Sequence, residues 1–344
     1  MSSVLDLAGG ATEGVERVGG KALGLMRLAE LGCAVPPGFV IATDAQRAWM
    51  RDHGLDAEVS RLVRAADGYE AVRAASEAIA SRFAAAALED ERIDDAYERL
   101  GAPPVAIRSS ATAEDLDDAS FAGQQETYLP ITGRAAVRRH VVRCWASLYS
   151  PEAISYRRRL AAQIEDVAMA VVVQKVVPAE AAGVLFTIDP VTGDRSQITI
   201  EAAFGLGLAL VGGDVTPDRY AVDKVTFEMR SRAIAMKPFA DRFDAGAATL
   251  RRAQLATEEA SAPAISDDEV VALAQIGKRV EASFGQPMDV EWALGPGPDG
   301  SRQVHLLQAR PVTVHGREER DNGAPQRAMD RIVSAMLKDR QGAP

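Results

Sequence analysis

The sequence predicts a mixed α/β protein of two domains, and three observations predict it. The chain has 344 residues, enough for two cores of ordinary size. Ala-rich stretches with apolar residues at helical spacing fill residues 44–100 and 134–162. Short β-branched runs stand at 105–107, 169–177, 183–187 and 198–202, and an alternating pair follows at 288–292 and 304–310. Hydrophobic residues at 47% and charged residues at 26% are those of a soluble globular protein.

Charge narrows the function classes. The net charge is −10, from 39 basic and 49 acidic residues, so a general nucleic-acid binder is excluded and any anion site is a local cationic pocket. Cys33 and Cys144 match no metal or redox spacing and read as two buried thiols. The N-terminus lacks a basic start and apolar run, and the apolar run 167–173 is too short to span a bilayer, so a cytoplasmic protein is expected, with no membrane partner.

Taken in order, the first element is a helix from Gly20. Lys21-Ala-Leu-Gly-Leu-Met-Arg-Leu-Ala-Glu-Leu31 has helical periodicity, Gly32 caps it and Pro36-Pro37 stops it. Lys21 therefore lies in a first turn, where free N–H groups and the dipole favour an anion. A Walker A loop is excluded, since Val15 stands where its first glycine belongs and Ala22 where its Ser or Thr belongs. Residues 44–100 carry no visible chemistry. Pro103-Pro104 ends them and launches Val105-Ala-Ile-Arg-Ser-Ser-Ala-Thr-Ala-Glu-Asp115, followed by Ser120-Phe-Ala-Gly-Gln-Gln-Glu-Thr127. Arg108 among small hydroxyl residues, with a glycine loop after it, suits a polyphosphate; a strand running into a polar loop would read similarly.

The helical stretch 134–162 restarts at Pro151. Met169–Val177 is a buried strand ended by Pro178, and Gly183–Thr187 a strand entering a Pro-Val-Thr-Gly turn. Gly205-Leu-Gly-Leu-Ala-Leu-Val-Gly-Gly213 fails as a dinucleotide fingerprint, with Leu210 at the third glycine position. Near the end, Asp289 and Glu291 share one strand face, and Gln308 and Arg310 share another. Two acids, an amide and a guanidinium fit a magnesium triphosphate, and equally fit an exposed face of cross-strand ion pairs.

These blocks resemble the nucleotide-binding domain of phosphoenolpyruvate synthase, pyruvate phosphate dikinase and rifampin phosphotransferase. The Arg108 string, Val18-Gly-Gly-Lys-Ala-Leu-Gly-Leu with Val35-Pro-Pro-Gly-Phe39, Ala153-Ile-Ser-Tyr-Arg157, Gly183–Gly193 and Asp289-Val-Glu-Trp292 with Leu307-Gln-Ala-Arg-Pro311 follow the family's order across residues 15–314. The resemblance implies an ATP-grasp fold with the nucleotide held between two subdomains, 1–178 and 179–315, and a linker and helix at 316–344. It implies ATP and Mg2+ as ligands and transfer of a pyrophosphoryl group to a histidine. Lys21, Arg108 and Arg310 would stabilise the phosphates. Thr112, Glu201 and the loop residues Gly123, Gln124 and Gln125 would contact the nucleotide. Gln174, Lys175 and Val177 would read the adenine, and Glu291, Gln308 and Asp289 would serve the metal. Leu208 departs from the family, which usually has Glu after this Gly-Leu-Gly.

The family's acceptor histidine has no counterpart in the sequence. His53, His140, His305 and His315 lack its Gly- and Thr-rich surroundings. The chain is therefore expected to act with a histidine-bearing swivel-domain subunit and an acceptor-binding domain on a separate chain, phosphorylating a small-molecule hydroxyl or enol. That arrangement resembles phenylphosphate synthase, and the polar ends of the chain read as natural ones. The alternatives are a fragment of a phosphoenolpyruvate synthase or rifampin phosphotransferase, and a non-catalytic ATP-sensing subunit. In the tail, Met329, Ile332, Val333 and Met336 form one stripe, which would either dock on its own domain or anchor the partner.

Overall fold

A computed structural model describes residues 2–9, 12–112, 127–159, 167–244, 246–297 and 299–312. The chain divides into two compact units: Met1–Ala179 with Phe243–Arg251 and Ala293–Arg310, and Glu180–Arg242 with Arg252–Trp292 and Pro311–Pro344.

In the first unit the elements run β1 (Val4–Asp6), α1 (Val15–Glu30), β2 (Gly38–Ile41), α2 (Thr43–Asp52), α3 (Leu55–Ala65), α4 (Tyr69–Ala85), α5 (Glu91–Arg99), β3 (Val105–Ala111), β4 (Thr127–Ile131), α6 (Arg134–Ser147), α7 (Pro151–Arg159) and β5 (Met169–Lys175). The strands form an antiparallel sheet of order β1-β2-β5-β3-β4. Side-chain alternation gives that sheet two different faces. Ile107 and Ala111 of β3, Val171 and Val173 of β5 and Phe39 and Ile41 of β2 point into one hydrophobic core, shared with Trp49, Phe83, Trp145 and Tyr149 from the helices. Trp49 packs edge-on to Phe83, with ring centroids 5.0 Å apart. The alternate residues, Arg108 and Ser110, face α1, where Ser110 Oγ donates to Val18 O at 2.8 Å and accepts from the Ala22 N–H at 3.0 Å.

Glycine lets α1 approach that face. The helix breaks at Gly19, whose φ of 74° is left-handed, and restarts at Gly20. A Cβ on Gly19 would strike the Ser110 carbonyl, and one on Gly24 would lie 2.6 Å from the Ala309 carbonyl oxygen. The helix ends at Gly32, φ 71°, with the Cys33 N–H on Leu28 O at 3.1 Å, as its sequence predicts.

The second unit continues with β6 (Ala181–Phe186), β7 (Gln197–Phe204), α8 (Leu208–Val211), β8 (Asp218–Asp223), β9 (Met229–Ala233), β10 (Phe239–Asp244), β11 (Thr249–Gln254), α9 (Thr257–Ala260) and α10 (Asp267–Phe284), except that Phe243–Arg251, the end of β10 and the start of β11, belongs to the first. β12 (Met288–Pro296) begins in this unit and ends in the first, where β13 (Arg302–Pro311) mostly lies. The sheet order is β13-β12-β6-β7-β8-β9, with β10 and β11 paired separately. α10 starts with a reciprocal cap, Ser266 Oγ accepting the Glu269 N–H and the Glu269 carboxylate accepting the Ser266 N–H. Gly277 of α10 meets Leu185, which assigns Gly183 and Leu185 of β6 to the helix-covered sheet face.

Two neighbouring hairpins reuse one turn. In Asp189-Pro-Val-Thr-Gly-Asp194 and Asp223-Lys-Val-Thr-Phe-Glu228 the aspartate Oδ1 accepts the N–H groups two and three residues on, at 2.8 and 3.0 Å and at 2.8 and 2.9 Å. Each threonine Oγ1 accepts the next-but-one N–H at 3.3 Å. Gly193 takes the left-handed position in the first turn, and Phe227, φ 60°, takes it in the second. A buried ion pair braces the same unit. Asp218 and Lys237 have fully buried side chains and are joined directly, and Asp218 also accepts the Ala235 and Ala264 N–H groups at 3.0 and 2.8 Å.

Candidate functional site

The first unit gathers Lys21, Arg108 and Gln308. Lys21 is 4% exposed, at the start of the restarted helix, and its Nζ donates to Ser109 O at 2.7 Å. Arg108, 8% exposed on β3, reaches β13: Nη1 donates to Leu307 O at 2.5 Å and Nη2 to Gln308 Oε1 at 3.1 Å. Lys21 and Arg108 are thus two buried cations whose described bonds go to the Ser109, Leu307 and Gln308 oxygens. Gln308 and Arg310 lie two residues apart on β13; Arg310 is exposed. Thr112 follows the end of β3 and joins β5's approach, its N–H donating to Ala168 O at 3.1 Å and its Oγ1 accepting the Ala168 N–H at 3.4 Å.

At the end of β5 the backbone is already engaged. Gln174 is 2% exposed and its Nε2 donates to Pro36 O at 3.1 Å. The Lys175 and Val176 N–H groups go to Pro37 O and Pro104 O at 2.9 and 3.1 Å, and Val177 O accepts the Ala179 N–H at 2.8 Å. Gly123, Gln124 and Gln125 lie outside the described residues, as do His315 and the helix expected at 326–338.

The second unit gathers acids. On β7, Glu201 pairs across the sheet with Val184 of β6 and Arg219 of β8. Thr199, Glu201 and Ala203 share the face opposite the α10-covered one. Burial pushes the Glu201 carboxyl above the usual carboxylate range; Arg219 opposes this, and the nearby Asp289 charge adds to it. Asp289 is 8% exposed, and Glu291, two residues on, projects from the same side of β12. Thr199 Oγ1, on a residue 1% exposed, is buried without a hydrogen-bond partner. Sequence reasoning missed Thr199 and Arg219: Thr199 alternates with Glu201 along β7, which the sequence shows, whereas Arg219 stands opposite Glu201 on β8, which only the pairing shows.

The three described histidines are committed locally. His53 Nδ1 meets Trp49 O at 2.8 Å, His140 Nδ1 meets Ala136 O at 2.7 Å and His305 Nε2 meets Pro296 O at 3.1 Å. Burial lowers the pKa of His140 and of His305. Among the described residues no group of three or more His, Cys, Asp or Glu side chains is arranged around a metal position, and no helix is long and apolar enough to cross a membrane.

A family model for the pyruvate phosphate dikinase AMP/ATP-binding domain matches residues 15–331. The chain belongs to this family. Phosphoenolpyruvate synthase of Aeropyrum pernix is 39% identical over 339 residues, covering 88% of this chain and 41% of the relative. Rifampicin phosphotransferase of Streptomyces sviceus is 42% identical over 318 residues, covering 90% and 36%. An uncharacterized phosphotransferase of Bacillus subtilis is 35% identical over 305 residues, covering 88% and 34%. The chain of this pyruvate phosphate dikinase-type AMP/ATP-binding domain thus spans 34–41% of the length of these relatives.

Proposed function

We propose that this domain binds Mg-ATP and passes its pyrophosphoryl group to a histidine on a partner subunit, releasing AMP. The observation that carries the reading is the Lys21–Arg108–Gln308 cluster in the first unit of a chain whose family is named for AMP and ATP. Lys21 and Arg108, joined by Arg310, hold and neutralise the phosphates, so catalysis rests on positioning and charge stabilisation. Asp289 and Glu291 are the proposed carboxylate donors to magnesium and Gln308 a further proposed oxygen donor; magnesium takes one or two carboxylates together with phosphate oxygens. The raised Glu201 carboxyl fits this, because a carboxylate disfavoured by burial and by the nearby Asp289 charge gains from a cation. When bound, magnesium would supply further neutralisation of phosphate charge. Glu201, Thr112 and the Gln174–Val177 strand end are proposed nucleotide contacts.

The local commitments of His53, His140 and His305 support an acceptor histidine on another domain or another chain, as in a split enzyme of the phenylphosphate synthase kind. The final acceptor would be a small-molecule hydroxyl or enol bound there. The test is calorimetry with a non-hydrolysable ATP analogue, with and without magnesium, together with chromatography of AMP. Binding should strengthen with magnesium, and the domain alone should form almost no AMP. Arg108→Ala should cost about 2–4 kcal/mol of transition-state stabilisation in the reconstituted reaction. Equal affinity without magnesium would refute the metal assignment, and rapid AMP formation by the domain alone would refute the external acceptor.

A further inference from the structure

The glycine-rich segment Gly205–Gly213 has no part in the reading above, yet its placement beside Glu201 is specific. Ala203, Ala209, Leu210 and Val215 form one buried cluster, with Val184 packed against it. Val184 is the cross-strand partner of Glu201, and Ala203 lies two residues beyond Glu201 on the same face of β7. The segment that holds α8 therefore covers the sheet face next to the Glu201 carboxyl, as a wall.

That wall is fastened at both ends by one side chain. At its start, Gly205 (φ 79°) bridges to Asp241 of β10, and the Leu206 N–H donates to Asp241 O at 2.8 Å. A Cβ on Gly205 would strike that same Asp241 carbonyl. The Asp241 carboxylate, on a residue 8% exposed, is gripped by Arg252 of β11: Nε donates to Oδ1 at 2.8 Å and Nη2 to Oδ2 at 3.0 Å. At the segment's end the same Nη2 donates to Asp214 Oδ2 at 2.9 Å. The Arg252 guanidinium also lies over the Phe239 ring, 4.2 Å from its centroid. Isolated surface ion pairs contribute little, but a bidentate fork that joins two acids and stacks on a ring is the exception.

We propose that Arg252 is a positioning residue for nucleotide binding: by holding Asp241 and Asp214 together it keeps the Gly205–Asp214 wall in place beside Glu201. The inference rests on the proposed Mg-ATP site. Lysine cannot replace it fully, since a single ammonium lacks the planar fork that grips Asp241 on two oxygens while reaching Asp214. Asp241 and Asp214 are the two handles, and they are unequal: Asp241 carries the bidentate contact, Asp214 a single one.

The test uses the whole chain, with hydrogen exchange at residues 206–213, the dissociation constant for the magnesium complex of a non-hydrolysable ATP analogue, and the melting temperature, for Arg252→Ala, Arg252→Lys and Asp214→Asn. Arg252→Ala should speed exchange in the segment and weaken nucleotide binding on the order of tenfold. Arg252→Lys should fall between it and wild type, and Asp214→Asn should show the smallest effect. The melting temperature should hardly change in Asp214→Asn, where both partners are about half exposed, and should fall modestly in Arg252→Ala, which leaves the buried Asp241 carboxylate without its fork. Faster exchange with unchanged nucleotide affinity in Arg252→Ala would overturn the inference, reducing the clamp to a structural one. Unchanged exchange and affinity would overturn it as well. If wild type itself fails to bind the nucleotide, the proposed function fails, and the inference goes with it.

Discussion

Gly24→Ala separates the stability of the first unit from the geometry of its phosphate-binding groups. A Cβ at residue 24 would lie 2.6 Å from the Ala309 carbonyl oxygen, about 0.8 Å inside ordinary van der Waals contact at 3.4 Å. The obstacle is backbone, so no rotamer relieves it; α1 and β13 must move apart. Helix propensity works the other way, since Ala is favoured over Gly by about 1 kcal/mol. Overpacking costs about 1–3 kcal/mol, so the net loss of stability is about 0–2 kcal/mol. The effect on binding is larger. Lys21 sits three residues before Gly24 on the same side of α1, and β13 supplies the Leu307 and Gln308 oxygens that hold Arg108. A shift of this size separates the two cations, and a misplacement of about 1 Å can cost on the order of 100-fold. Urea unfolding should therefore show a modest change, while calorimetry with a non-hydrolysable Mg-ATP analogue shows at least roughly tenfold weaker binding. Unchanged affinity alongside a measurable loss of stability would refute the link between this helix–strand contact and the phosphate groups.

Two further outcomes follow from buried charge. Glu201 has a raised folded-state pKa, so the folded protein holds its proton more tightly, and this group's contribution falls as pH rises from the ordinary value of 4.5 through the raised one. Glu201→Gln removes that decline: the variant's melting temperature should drop less than wild type's between acid and neutral pH, and parallel curves would contradict the assignment. Lys237→Met strands the Asp218 carboxylate in a fully buried position, at a cost of about 3–5 kcal/mol in urea unfolding. Adding Asp218→Asn should recover part of it, and a single-variant loss below roughly 1 kcal/mol would show that the carboxylate finds water or another partner.

The parts of the fold that could be read are those with local causes. The restart of α1 at Gly20 and its end at Gly32 follow from glycine conformations and helical spacing within one segment. The strands at 105, 169 and 198 follow from β-branched runs. α10 is equally local in cause, with Ser266 and Glu269 capping it and Gly285 ending it. β9 and β11 carried no such signal: Met-Arg-Ser-Arg-Ala and Thr-Leu-Arg-Arg-Ala-Gln are mostly exposed and lack apolar alternation, so turns rather than burial define them. At the site, residue type pointed to Lys21, Arg108 and Gln308. The contacts that join Arg108 to Leu307 and Gln308 span 199 and 200 residues, and no local pattern encodes them. Arg252 was unreadable for the same reason, since its role exists only where Asp241 and Asp214 meet.

The sheet order of the first unit also sets a timetable for synthesis. β5 lies between β2 and β3, and its register partners are distant: Gly38 waits for Gln174, and Val105 for Lys175. A ribosome that has released β1, β2, β3 and β4 has delivered two separate two-stranded ribbons whose inner edges have no neighbour. Only when residues 169–175 emerge can one strand satisfy both edges at once and close the sheet over its core. The nascent chain therefore carries the open β2 edge from residue 41 and the open β3 edge from residue 111 until β5 begins at residue 169, the condition under which unpaired edges recruit other chains. In the second sheet β7, β8 and β9 each pair with the strand just made, and the long wait falls on β6 alone, whose other edge meets β12 only at residues 288–296.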